Sequence, residues 1–359
     1  MKSIMKMIYS RDDFNLSIFV TGMHMLKEFG NTYYEIIKDG FENITLDHSY
    51  QYTHNMTFSL AHVMLSFSKF VEEEKPDMIV VHGDRLDALA GAIVGCFNNI
   101  LVAHIEGGEL SGTIDETIRH AISKLSHIHL VANEEARQRL IQLGEPKEQV
   151  FVIGSPDIDI MYSDNLPSTK KVYERYNIQN DKIAIMAYHP VVTEMELLSD
   201  NINQVVTALI QSEDSYVVIM PNNDPGNEII RKAYERLEGN KRFRILPSLR
   251  FEYFLSLLKS AKYIIGNSSV GIREACVYGI PAIDIGTRQQ GRYSMEILKN
   301  TMHCEHESDQ ILECIRSIEQ HRIPNSYFGD GNSAKMFYDI LLSDVWNTAI
   351  QKKFVDMEM

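Results

Sequence analysis

Three short polar stretches hold the residue types that move protons. Gly83-Asp84-Arg85 follows one apolar run, His104-Ile105-Glu106-Gly107-Gly108-Glu109 follows the next, and Asp115-Glu116-Thr117-Ile118-Arg119-His120 comes just beyond. Met78–Val81 and Ile100–Ala103 read as short buried strands, and ligands of a parallel α/β sheet bind at the carboxyl ends of such strands. Asp84, Glu106 and Asp115 would then gather at one crevice. Carboxylates with histidines nearby suit proton transfer to and from carbon or oxygen. Any one of these acids alone is better read as a helix cap, Asp115 above all, which lies close to a helix start. The coincidence of all three at strand ends favours a site.

A second stretch, Ile264-Ile265-Gly266-Asn267-Ser268-Ser269-Val270-Gly271-Ile272-Arg273-Glu274-Ala275, suits an anion. A strand runs into a Gly/Ser turn and then a helix expected from about Gly271. Backbone N–H groups, the hydroxyls of Ser268 and Ser269 and a helix N-terminus would face a phosphate. Glu274, about one turn into that helix, could accept from the hydroxyls of a ribose. Asp284-Ile285-Gly286-Thr287-Arg288-Gln289 is another strand end, with Arg288 available for phosphate. Gly-Asn-Ser-Ser alone would be an ordinary tight turn with a serine cap; its company at this spacing makes it specific.

The elements that must position these groups alternate. Strands are expected at Leu16–Val20, Met78–Val81, Leu101–Ile105, His129–Val131 and Val150–Ile153, with helices at Phe58–Val71, Asp87–Phe97, Ile118–Leu125 and Asn133–Leu143 between them. Asn165-Leu166-Pro167-Ser168 breaks the pattern as a domain connection would. Alternation then resumes through strands at Ile183–Ala187, Tyr216–Met220, Phe243–Leu246, Tyr263–Ile265 and Ala282–Ile285. This pattern predicts parallel sheets covered by helices, in two Rossmann-like domains with a cleft between them. One feature conflicts with it: the chain opens on a helix-like segment (Ile4, Met5, Ile8), where a doubly wound domain opens on a central strand.

Composition narrows the function. The 359 residues allow two domains, and 44% hydrophobic content allows a sizeable core. A formal net charge of -14 opposes a general nucleic-acid role. Cys96, Cys276, Cys304 and Cys314 are scattered, with no Cys-x-x-Cys pair, and so give no sign of a disulfide framework or zinc ribbon. His82, His104, His127 and His129 lack metal-ligand spacing and read as packing or hydrogen-bonding residues. No apolar run is long enough to span a bilayer, and the opening segment makes a poor signal peptide; we expect a cytoplasmic protein with neither metal nor cofactor and no membrane partner.

The motifs resemble those of the UDP-N-acetylglucosamine 2-epimerase family, and in particular its hydrolysing branch of bacterial capsule enzymes, which makes N-acetylmannosamine for sialic acid synthesis. The resemblance rests on Val20–His24, His82–Leu86, His104–Ser111, Asp115–His120, Ser123–His127, Gly154-Ser155-Pro156, His189-Pro190, Gly266–Glu274 and Gly286–Gln289, in the family's order, and on Gly108 to Thr113 for the branch. It implies a glycosyltransferase-B-like architecture. The first domain would span 1–163 and carry the acids, a UDP-binding domain would span 164–340, and a helix at 341–359 would return to the first domain. By motif, Asp84, Glu106 and Asp115 fall on the catalytic carboxylates. Ser268 and Ser269 would contact the diphosphate, Glu274 the ribose and Arg288 the phosphate region. His189, grouped with the catalytic residues, and Asn222 would face the nucleotide or sugar, and Arg85 joins the substrate-binding set. A homodimer or homotetramer is also implied.

The implied reaction eliminates UDP to a glycal and hydrates it with inversion at C2. It needs acid/base groups on two faces and one that handles water, which three carboxylates can provide; their crowding should raise at least one pKa. A non-hydrolysing epimerase that returns UDP-N-acetylmannosamine, and a catalytically weak sugar-nucleotide binder, are the other readings. Family members begin with a strand and a Gly-Thr/Ser-Arg loop ahead of the helix that Met1–Ser10 matches, so that strand and its arginine are expected to be missing here. Their loss would forfeit hydrogen bonds of about 1 kcal/mol each and buried side chains of roughly 1.5–3 kcal/mol each. Against a typical stability of about 5–15 kcal/mol, a chain as written would be poorly stable or weakly active.

Overall fold

Short β-branched runs separated by amphipathic stretches fold here as parallel strands joined by helical crossovers. The computed structural model describes residues 1–27, 30–51, 53, 55–111, 114–221 and 225–356. The chain divides into two units, Met1–Asp159 with Gly329–Met359, and Ile160–Phe328.

The first unit runs α1 (Lys2–Tyr9), β1 (Ile18–Val20), α2 (Tyr33–Lys38), β2 (Ile44–Leu46), α3 (Met56–Glu74), β3 (Met78–His82), α4 (Leu86–Phe97), β4 (Leu101–Ile105), α5 (Ile114–Leu125), β5 (Ile128–Val131), α6 (Glu134–Gln142), β6 (Val150–Val152) and α7 (Pro156–Met161), which crosses into the second. Its main sheet is parallel, in the order β3-β4-β5-β6; β1 and β2 form a separate parallel pair. Both faces of the main sheet are covered, so β4 and β5 are buried along their whole length and are apolar except for His104 and His129. Ile4 and Ile8 of α1 pack with Ala103, Ile105, Ile128 and Leu130 on one face, and Val94 and Ile122 pack with Ile79 and Val102 on the other.

The second unit runs α8 (Thr169–Tyr176), β7 (Ile183–Ala187), α9 (Leu198–Gln211), β8 (Ser215–Ile219), α10 (Asn227–Tyr234), β9 (Phe243–Leu246), α11 (Phe251–Ser260), β10 (Ile264–Gly266), α12 (Glu274–Tyr278), β11 (Ala282–Ile285), β12 (Thr301–Cys304) and α13 (Ser308–Ser317). Its six parallel strands lie in the order β12-β11-β10-β7-β8-β9. The chain winds outward in both directions from β7 and β10, which places the topological switch point between them.

The C-terminal part departs from the expected layout. α14 (Ser333–Leu341) already belongs to the first unit, where Ala334, Phe337 and Leu341 join the α1 core. The return comes at Gly329 rather than 341, because the Asp159 carboxylate accepts from the N–H groups of Ser333 and Ala334 at 2.9 and 2.8 Å and so starts α14 there. Beyond it, residues 341–356 hold only the end of α14 and a 3-10 turn at Asp344–Asn347, not a returning helix. Lys352 pins this tail by donating to Glu145 at 2.6 Å. Among the described residues no helix is long and apolar enough to cross a membrane.

Candidate functional site

In the first unit, β3 and β4 run in register with His82 opposite Ile105, so the residues after them emerge side by side. Gly83 turns the chain at φ +75°, its N–H bonding the Ile105 carbonyl at 2.9 Å. Glu106 also lies in the left-handed region, at φ +65°. That conformation costs a residue with a side chain roughly 1–2 kcal/mol. It is held by a 2.8 Å bond from its N–H to the Leu130 carbonyl, by the Ser155 hydroxyl donating to Oε1, and by His82 Nε2 standing 3.0 Å from Oε2. Strain fixed this tightly at a buried carboxylate is the pattern of a functional group.

Asp84 lies two residues beyond β3. It is not a helix cap: that position belongs to Arg85, whose side chain caps nothing. The Asp84 Oδ2 instead accepts from Nη2 of Arg119, a residue of α5 that is 3% exposed. Asp84 thus faces a guanidinium. Asp115 sits in the first turn of α5, half-buried and one turn from Arg119. The Arg85 guanidinium is exposed, 3.8 Å from the Met23 sulfur.

His104, on β4 and fully buried, sets the turn from beneath. Its Nε2 is 2.8 Å from the Gly83 carbonyl and its Nδ1 is 3.1 Å from the Ser123 hydroxyl. A carbonyl only accepts, so Nε2 carries the proton and Nδ1 accepts from Ser123. Burial drives the imidazole pKa down to about 3, overriding the bond to Gly83 that favours the charged form, so the ring is neutral. His127 is likewise committed, with Nδ1 accepting from the Val102 N–H at 3.0 Å and Nε2 donating to the Ile350 carbonyl at 3.0 Å. His129 contacts Glu145 at 2.9 Å. No group of three or more His, Cys, Asp or Glu side chains placed to hold a metal occurs among the described residues.

In the second unit the switch point carries the polar residues. His189 follows β7, and Gly266-Asn267-Ser268-Ser269 ends β10 and follows it. The two backbones come so close that a Cβ on Gly266, at φ +135°, would lie 2.0 Å from the Ala187 carbonyl oxygen; only glycine fits. Asn267, 1% exposed, gathers the site. Its side chain accepts from the His189 N–H at 2.7 Å and donates to the His189 carbonyl at 2.9 Å. Its own carbonyl accepts from Arg288 Nη1 at 3.1 Å and Gln289 Nε2 at 2.8 Å.

Ser268 and Ser269 are half-buried, and the Ser268 hydroxyl makes no cap bond. The helix expected from Gly271 is displaced. A 3-10 turn covers Ser269–Gly271, and α12 begins at Glu274, making Glu274 its first residue rather than one turn inside. Gly271 favours helix poorly, and the turn closes through Gly271 N–H to the Ser268 carbonyl at 3.1 Å. Asn222 lies outside the described residues.

The structure therefore brings Asp84, Glu106 and Asp115 to adjacent elements of one unit, and His189, Ser268, Ser269 and Arg288 to one corner of the other. Arg119, Ser155, Asn267 and Gln289 stand within motifs that gave them no role, and His82 was expected only to pack or to hydrogen-bond. Only Arg119 gave a signal: it falls on the buried face of α5 with Ile118 and Ile122, where an unpaired cation would be costly.

Two Rossmann-like units, one with acids at its strand ends and one with a serine loop at its switch point, define a glycosyltransferase-B-like α/β protein. A crystal structure of UDP-GlcNAc 2-epimerase from Neisseria meningitidis bound to UDP-GlcNAc shares this fold with a TM-score of 0.79 and 17% identity, over 95% of this chain and 96% of that one. The sequence profile of UDP-N-acetylglucosamine 2-epimerase matches residues 6–342. The chain is 42% identical to the UDP-N-acetylglucosamine 2-epimerase of Neisseria meningitidis serogroup B over 100% of its own length and 96% of that protein. It is 35% identical to the UDP-N,N'-diacetylbacillosamine 2-epimerase (hydrolyzing) of Legionella pneumophila, covering 95% and 91%. The chain belongs to the UDP-N-acetylglucosamine 2-epimerase family.

Proposed function

We propose that the protein is a hydrolysing epimerase that converts UDP-N-acetylglucosamine and water to N-acetylmannosamine and UDP, for sialic acid synthesis in the cytoplasm. The observation that carries this reading is the pair of acids held at neighbouring strand ends, Asp84 by Arg119 and Glu106 by Ser155 and His82. The relative from Legionella pneumophila, whose name includes hydrolysis, supports the branch.

C2–H of the sugar has no carbonyl beside it and is barely acidic. As the C1–O bond lengthens, its electron pair leaves with UDP and positive charge grows at C1. A carboxylate then takes the C2 proton and the C2–H pair becomes the C1=C2 bond of a glycal. Water adds its hydroxyl to C1, and a proton reaches C2 from the opposite face. We assign Asp84 as the base, with Glu106 and Asp115 delivering the C2 proton and handling water. Ser268, Ser269 and Arg288 take the diphosphate and phosphate region, Glu274 takes the ribose, and His189, Asn222 and Arg85 complete the substrate contacts. No metal or cofactor enters.

The test is product identity by proton and phosphorus NMR. Free UDP with N-acetylmannosamine supports the proposal. Intact UDP-N-acetylmannosamine would establish the non-hydrolysing reaction, and a diacetamido substrate turned over in preference would change the sugar.

The proposal includes self-association as a homodimer or homotetramer. Phe58 and Leu65, one above the other on α3, are 70% and 62% exposed and leave apolar side chains open to such a contact. A monomeric mass by light scattering would overturn this part.

A further inference from the structure

We propose that Arg119 is a positioning residue for the reaction, one that occupies Oδ2 of Asp84 and leaves Oδ1 as the atom that takes the proton; this rests on the function proposed above. The Arg119 guanidinium is 3% exposed and anchored at both ends. Nη2 donates to Asp84 Oδ2, while Nη1 donates to the Glu109 carbonyl at 2.9 Å and the Ser111 hydroxyl at 3.2 Å. The anchoring loop is itself fixed, since Glu116 accepts from the Ser111 N–H at 2.7 Å. Glu116 and Arg119 stand three residues apart on α5, so one helix turn holds both the loop and the fork.

The same helix reaches the Asp84 turn a second way. Ser123, four residues beyond Arg119, bonds His104 at 3.1 Å, and His104 bonds the Gly83 carbonyl at 2.8 Å. The backbone of the turn and the carboxylate on it are thus set by neighbouring positions of α5, the helix whose first turn carries Asp115. Charge balance alone would need only a point cation. A planar fork spanning three acceptors fixes direction as well, which lysine cannot reproduce. Misplacing a reacting group by about 1 Å costs on the order of 100-fold in rate.

Arg119→Lys and Arg119→Ala are assayed for kcat, KM and solvent deuterium at C2, with thermal melting as the check on folding. We expect kcat to fall by on the order of 100-fold in Arg119→Lys with KM within about threefold of wild type, because the lost term is alignment and not affinity. Added guanidinium at millimolar concentration should restore part of the kcat of Arg119→Ala. Wild-type turnover in Arg119→Lys, or a folded Arg119→Ala that guanidinium does not rescue, would overturn the assignment. Should both variants melt below the assay temperature, Ser111→Ala decides. It keeps the arginine and removes one of the two bonds that hold Nη1, and an unchanged kcat there contradicts the proposal while a several-fold fall supports it. A wild-type protein inactive on UDP-N-acetylglucosamine would instead count against the proposed function.

Discussion

Asn267 brackets the backbone of His189 from 78 residues away, taking its N–H at 2.7 Å and returning a bond to its carbonyl at 2.9 Å. The two strand ends that flank the switch point are thereby locked to each other before any ligand arrives. Asn267→Asp keeps the acceptor and replaces the donor with a second acceptor facing a carbonyl. We expect UDP affinity to weaken by about 10- to 100-fold in titration calorimetry. Unchanged affinity would mean that the bracket does not shape the nucleotide site.

Gly266 tests the same junction through sterics. A methyl group there meets the Ala187 carbonyl oxygen at 2.0 Å in a backbone conformation that L-residues rarely adopt. Gly266→Ala should cost at least about 2 kcal/mol of stability, read as a lower urea midpoint. A wild-type midpoint would show that β7 and β10 can separate without loss.

The acids should divide chemistry from binding. Glu106→Gln removes an ionisable group while keeping its shape, so kcat should fall by roughly 100- to 10,000-fold with UDP affinity unchanged. Ser155→Ala, which deletes only the hydroxyl on Oε1, should lower kcat by about tenfold. A Glu106→Gln protein that turns over normally would remove this residue from the mechanism.

Acid pH should destabilise the first unit through its buried histidines. Burial holds His104 down to about 3 and lowers His129 despite its contact with Glu145. Below about pH 6.5 the unfolded chain binds protons that the folded one refuses, so stability falls as pH drops, by about 1.4 kcal/mol per pH unit for His104, with His129 acting in the same direction. Glu145 acts lower. Burial opposes its ionised form, yet His129, Lys124 and Lys352 hold its pKa down to about 2. Its contribution is therefore present above the ordinary carboxylate range and is lost as pH falls from about 4.5 toward 2. Melting temperatures should be level from pH 8 to 7 and decline from 6.5 to 5, with a shallower decline in His104→Gln. A level profile down to pH 5 would contradict the neutral buried histidines.

What the sequence made legible was local. Met78–Val81, Leu101–Ile105 and Ile183–Ala187 are apolar runs that announce strands, and polar residues at their ends place Asp84, Glu106 and His189. Long-range partners left no comparable trace. Arg119 meets Asp84 across 35 residues and Asn267 meets His189 across 78, and neither partner can be chosen from spacing. Ile44–Leu46 and Thr301–Cys304 give no strand signal because Thr45 in the one, and Thr301 and His303 in the other, leave no continuous apolar run. The helix expected from Gly271 begins instead at Glu274, because Gly271 favours helix poorly and a local 3-10 turn takes its place.

The central claim is that a carboxylate of the first unit removes the proton at C2 and another group returns one from solvent. Incubating the wild-type protein with UDP-N-acetylglucosamine in heavy water tests it directly. We predict one deuterium at C2 of N-acetylmannosamine alongside free UDP, and no incorporation with Asp84→Asn. Epimerised product that keeps its original hydrogen at C2 would contradict the account.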